Sequence, residues 1–80
     1  MAKAIIRLPS VKEVKEFVGA VSSFSCDIDI AADRYIIDAK SIMGIFSLDL
    51  SKALELRIIS DNENEISDVL EKIDRFIVRE

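Results

Sequence analysis

Two hydroxyls dominate the residues of this chain that could do chemistry. Ser10 lies in the run Arg7-Leu8-Pro9-Ser10-Val11-Lys12-Glu13, with an ammonium two residues on and a carboxylate three residues on. Ser41 stands directly before the apolar stretch Ile42 to Leu48. Neither has an imidazole to act as its base, because the chain contains no His. Ser–His and Cys–His nucleophile pairs are therefore excluded, and so is a His general base. With no His and one Cys, Cys26, the usual zinc-ligand sets cannot be assembled within one chain. Asp27, Asp29, Asp33 and Asp38 lack the loop spacing of a calcium site and read as solvated strand and turn positions. No metal or cofactor is expected. Without a base nearby, both hydroxyls read at this point as helix caps.

The elements that hold these groups follow from composition and periodicity. Eighty residues, 50% hydrophobic and 32% charged, make a single domain over residues 1–80 and not a disordered tail. A lone Cys forms no intramolecular disulfide, which fits a reduced cytoplasmic setting. Eleven basic against 15 acidic residues give a net charge of −4, which argues against nucleic acid as a partner. No segment approaches the ~20 apolar residues of a membrane span. The start, Met1 to Arg7, does not have the form of a signal peptide, so a soluble cytoplasmic protein is expected.

Residues 2–8 read as a strand that Pro9 ends. Ser10 and Glu13 have capping-box spacing, and Val11, Val14, Phe17, Val18 and Val21 follow at helical intervals to about Ser22. Cys26, Ile28 and Ile30 alternate with Ser25, Asp27 and Asp29, which predicts a half-buried strand and a buried thiol at Cys26. Residues 31–34 are a turn, and residues 35–39 are the returning strand of a hairpin. Ser41 caps a short helix over residues 42–48. Leu54, Leu56 and Ile58 alternate in another strand. A polar turn then leads into an amphipathic helix from Ile66 to Ile77, with outer pairs Asp68–Lys72 and Glu71–Arg75. Strands mixed with helices of this length predict an α+β fold, a small antiparallel sheet with one face wet.

The stretch Lys40-Ser41-Ile42-Met43-Gly44-Ile45-Phe46-Ser47-Leu48 resembles the K-S-I-M-G-V-M-S-L stretch of HPr, the histidine-containing phosphocarrier family of the bacterial sugar phosphotransferase system. Phe17-Val18, the run from Phe24 to Ile28, and Leu54 to Ile58 fit the family's first helix, second strand and fourth strand. The resemblance implies an HPr-like open-faced β-sandwich: a four-stranded antiparallel sheet in the order 1-4-2-3 with three helices on one face.

It also exposes a departure. The family accepts its phosphoryl group on the His of a G-[LI]-H-A-R-P loop before the first helix. Counting back from Phe17-Val18 places Ser10 at that His, Lys12 at the Arg and Glu13 at the Pro. A relay needs a neutral nitrogen nucleophile and a labile phosphoramidate, whereas a Ser hydroxyl forms a stable ester. Lys is a poorer fork for phosphate than Arg, and Glu13 adds negative charge where phosphate would arrive. Ser10, Lys12 and Glu13 therefore read as a capping box and not as a catalytic loop. In lacking the His the chain is similar to the family's catabolite-repression variant.

At Ser41 the resemblance implies regulation. The matching Ser is the target of a Ser-directed HPr kinase in many Gram-positive bacteria, and the phosphorylated form docks on a transcription regulator. A cap-only role is the simpler reading, and the two are compatible. One apolar stripe of the short helix must face the sheet, and Ile45 and Leu48 can point inward together. Ile42, Met43 and Phe46 are then partly exposed, at positions that form the family's docking patch; the simpler reading is that packing covers them. The resemblance thus implies a non-catalytic protein that binds other proteins, among them phosphotransferase-system components. The alternatives are the phosphocarrier itself, opposed by the absent His, and an HPr-fold domain with an unrelated partner.

Overall fold

Alternation in the strands and helical spacing elsewhere put one apolar side of each element into a common interior. A computed structural model describes residues 1–79. The strands are β1 (Ala2–Ile6), β2 (Asp27–Ala32), β3 (Tyr35–Asp38) and β4 (Leu54–Ile59). They form one antiparallel sheet in the order β1-β4-β2-β3. Helices α1 (Val11–Val21), α2 (Ile42–Phe46) and α3 (Glu63–Lys72) cover one face of it, and a 3-10 turn spans Asp74–Phe76.

Inward residues of the sheet, including Ile6, Ile28, Ile30, Leu56 and Ile58, are fully buried. They meet Val14, Phe17 and Val21 of α1, Ile45 of α2 and Val69 of α3. Phe17 packs edge to face on Phe76, with ring centroids 5.6 Å apart and planes at 87°. Burying these side chains is the main stabilising term, each contributing about 1.5–3 kcal/mol.

The element boundaries depart from the sequence reading at several points, among them the start of β2 at Asp27 instead of Cys26 and the end of β3 at Asp38 instead of Ala39. β1 ends at Ile6 and not at residue 8, because the Arg7 N–H turns to the Phe76 carbonyl while Leu8 enters the core. β2 continues through Ala31 and Ala32, which pair with Ile36 and Tyr35, so the turn is only Asp33-Arg34. Asp33 supplies the bend with φ 54°, a left-handed conformation that Asp tolerates better than most residues. α2 stops at Phe46, two residues short of Leu48, with Ser47 as its C-cap.

The last helix differs most. α3 starts at Glu63, because the Asn62 side chain accepts the N–H groups of Asn64 and Glu65. It ends at Lys72, and Ile77 leaves helical geometry to pair with Ile6. The Val78 N–H donates to the Ile5 carbonyl at 2.8 Å, so the C-terminal segment covers part of the free β1 edge. Arg75 consequently pairs not with Glu71 but with Glu16 of α1, at 2.6 Å.

That pair, the Arg57 contact to Glu55 at 2.6 Å, and the Ser51 bonds to Asp49 hold all three carboxyls below their ordinary values. For Glu16 and Glu55 the leading cause is the arginine hydrogen bond; for Asp49 it is the Ser51 hydroxyl. A lowered carboxyl contributes stability above its unfolded pKa and loses it as pH falls through the folded one. The thermal midpoint is expected to fall as the pH drops below about 4.5, more steeply in wild type than in Glu16→Gln. Parallel curves for the two proteins would contradict this.

Candidate functional site

The α2 corner is built by the backbone. Ala39 is buried and its N–H donates to the Ile28 carbonyl at 2.8 Å, which ties the end of β3 to β2. The Lys40 N–H donates to the Asp38 carboxylate at 2.8 Å, and the Ser41 N–H to the Asp38 carbonyl at 3.0 Å. Ser41 has extended geometry (φ −95°, ψ 103°), and its Oγ accepts the Gly44 N–H at 3.2 Å. This is the predicted cap, with the Ser41 side chain exposed to solvent. A Cβ at position 44 would stand 3.2 Å from Ser41 Oγ, so the glycine keeps the space beside that oxygen open.

The three side chains that follow are not equivalent. Met43 is 75% exposed and Phe46 37%, which gives α2 an apolar outer surface. Ile42 is half-buried against the core and contributes only part of its surface. Ile45 is fully buried as expected, while Leu48 is half-buried.

Lys40 has a role that spacing alone does not reveal. Its Nζ donates to the Phe24 carbonyl at 2.6 Å and to the Cys26 carbonyl at 2.8 Å. It thereby joins the loop after α1 to the residue preceding Ser41. Charged hydrogen bonds of this kind are the stronger ones, and leaving two part-buried carbonyls unmatched is costly. Lys40→Met is expected to lower unfolding free energy by about 2 kcal/mol in urea titrations; an unchanged midpoint would contradict that role.

Ser10 lies elsewhere, at the start of α1, and is not part of the α2 surface. It is the N-cap (φ −138°, ψ 163°). Its Oγ accepts the Glu13 N–H at 3.4 Å and donates to Glu13 Oε1 at 2.9 Å. Half of the predicted capping box is present: the Ser10 hydroxyl caps the Glu13 N–H, but the Glu13 carboxylate takes the Ser10 hydroxyl and not the Ser10 backbone N–H. Beside it an open hollow of about 430 Å³ is lined by Arg7, Pro9, Glu13, Arg75 and the segment Phe76–Val78. Sequence reasoning missed both guanidiniums, because Arg7 and Arg75 come together through the long-range pairing of the C-terminal segment with the end of β1. Arg75 is already engaged, by Glu16 and by the Phe76 ring 4.5 Å from its guanidinium carbon. Arg7 reaches the Ser51 carbonyl at 3.5 Å.

Cys26 is half-buried and not a full core residue, since it precedes β2. Burial still pushes its thiol up, with the Glu65 carboxylate acting in the same direction, which disfavours thiolate chemistry. Among the described residues no group of three or more Cys, Asp and Glu side chains is placed to hold a metal ion. Among the same residues no helix is long and apolar enough to cross a membrane.

Comparison with known proteins agrees with this geometry. The family model described as the PTS HPr component phosphorylation site matches residues 11–78; Ser10 and the residues before it lie outside the matched stretch. The HPr-like protein Crh of Bacillus subtilis (strain 168) is 34% identical over 64 residues, covering 80% of this chain and 74% of Crh. The crystal structure of HPr-C-His from Thermoanaerobacter tengcongensis superposes with a TM-score of 0.72 at 29% identity, covering 92% of each chain. HPr from Bacillus anthracis str. Ames superposes at 0.65 with 23% identity, over 89% of this chain and 94% of that one, a likeness of fold. With the sheet order, the α2 corner and a family match over most of its length, this chain belongs to the HPr family.

Proposed function

We propose that this protein works by protein contact under the control of phosphorylation at Ser41, and that it does not carry phosphoryl groups. The observation that carries this reading is the contrast between its two hydroxyls. Ser10, which the resemblance places at the family's His position, is held between the Glu13 N–H and the Glu13 carboxylate. Ser41 is exposed beside the exposed Met43 and Phe46. A hydroxyl at Ser10 forms at most a stable ester, and Glu13 repels the incoming phosphoryl group. With no His in the sequence, no imidazole elsewhere in these residues can take over the relay.

At Ser41 the chemistry is favourable. A phosphate there meets the N–H groups of the first turn of α2 and replaces a single neutral cap bond. It adds about two negative charges next to an apolar surface, which changes what that surface binds. Residues 1–80 act as one domain in this reading. The partners are proteins: a Ser-directed HPr kinase, a transcription regulator, or phosphotransferase-system components. The 34% identical Crh is named an HPr-like protein, not a phosphocarrier, which fits this reading.

Incubation with the kinase and ATP, followed by intact-mass measurement, tests this. One added phosphate is expected on wild type and none on Ser41→Ala. A phosphate that persists in Ser41→Ala, or none on wild type, would overturn it.

A further inference from the structure

We infer that the open face of the sheet is a self-complementary surface that docks a second copy of this chain, with the strands of the two sheets aligned. The helices cover the other face, so the outward residues of all four strands share one uncovered side. Their register sets two rows. In the first, Lys3 of β1 stands beside Arg57 of β4, Arg57 beside Asp29 of β2, and Asp29 beside Asp38 of β3. The charges across the sheet therefore run plus, plus, minus, minus. In the second row the order is Ile5, Glu55, Ala31, Ile36.

Two features of these rows are unfavourable in an isolated chain. Like charges directly opposite each other destabilise a sheet, and the first row has such a pair at each end. Among the described residues, Lys3, Asp29 and Asp38 form no ion pair, while Arg57 is paired with Glu55 of its own strand. The second row leaves Ile5 45% and Ile36 62% exposed, at its two ends.

A twofold axis parallel to the strands, between β4 and β2, removes both defects. It lays β1 over β3 of the second copy and β4 over its β2, with positions along the strands kept in step. Lys3 then faces Asp38 of the second copy, Arg57 faces Asp29, and the symmetry repeats both contacts. Ile5 faces Ile36 in the same way. Sheets packed face to face lie about 10 Å apart with strands within ~30°, a gap that Lys, Arg and Ile side chains can fill from both sides. Arg57 retains donors for a second carboxylate, because a guanidinium has five. Four short strands offer less area than the ~1,200 Å² of a stable interface, so the dimer is weak and salt-sensitive. It leaves α2 and Ser41 on the outer side of each copy and does not depend on the function proposed above.

Sedimentation equilibrium over a concentration series, at low and high salt, tests it. Wild type is expected to self-associate at low salt and to dissociate at high salt. Asp29→Lys places like charges opposite Arg57, and Arg57→Asp places them opposite Asp29. Each variant alone is expected to associate at least about tenfold more weakly. An equimolar mixture of the two is expected to regain association, because each then supplies the charge that the other lacks. Should either fail to fold by circular dichroism, Lys3→Glu, which opposes the second copy's Asp38, gives the same weakening. A wild type that stays monomeric at low salt leaves the face to solvent or to another partner and overturns the inference. So does a mixture that associates no better than its components.

Discussion

Met43→Asp is expected to reduce the rate of Ser41 phosphorylation by the kinase about 30- to 800-fold in kcat/KM while leaving the fold intact. The side chain is 75% exposed, so an aspartate there meets solvent in the free protein. Surface changes of this kind alter stability by less than ~0.5 kcal/mol. In a docked complex the same aspartate would be buried without a partner at the centre of an apolar contact. Central contact residues typically contribute about 2–4 kcal/mol, which corresponds to that range of rates. Phe46 is 37% exposed and a smaller effect is expected from it, because more of its ring is already inside the protein. Ser10→Ala is the control: it removes the α1 cap, costing about 1 kcal/mol, without touching the docking surface. Steady-state phosphorylation assays on the three variants decide the matter. Equal rates for Met43→Asp and wild type would remove α2 from the interface.

Phe17→Ala is expected to cost about 3–5 kcal/mol of unfolding free energy in urea titrations. Phe17 is fully buried where α1 crosses the sheet, and its ring stands edge-on to Phe76. Truncation removes the transfer energy of the ring, leaves a cavity, and deletes an aromatic pair that contributes about 0.5–1.5 kcal/mol beyond its area. A domain of this size has roughly 4–12 kcal/mol in total, so the variant is left marginal. Phe76 also begins the segment that covers β1 and lines the hollow beside Ser10. A loss below about 1.5 kcal/mol would mean that Phe17 does not hold α1 to the C-terminal turn.

These two positions show what could be read from the chain and what could not. Phe17 sits in a helical row with Val14 and Val21, and the strands alternate cleanly, so the core was legible from period alone. The sheet order was legible only through resemblance, since alternation says nothing of which strands are neighbours. The exposure of Met43 followed from counting apolar stripes on a short helix. The C-terminal part was misread because Ile73, Phe76 and Ile77 continue a helical spacing while the chain turns at Ile73 to pair with β1. Long-range pairing overrode local pattern there, and it carried Arg75 to Glu16. Lys40 stands at the head of the Lys40–Leu48 stretch, but its bonds to the Phe24 and Cys26 carbonyls depend on a loop conformation that no spacing encodes.

The proposal that this HPr-family chain docks and does not relay is tested most directly by its response to phosphoenolpyruvate and Enzyme I. Intact-mass measurement after incubation with both, alongside a His-bearing HPr as positive control, is expected to return the unmodified mass for this protein. A phosphoryl group acquired from phosphoenolpyruvate and passed on to a sugar-specific component would contradict the proposal.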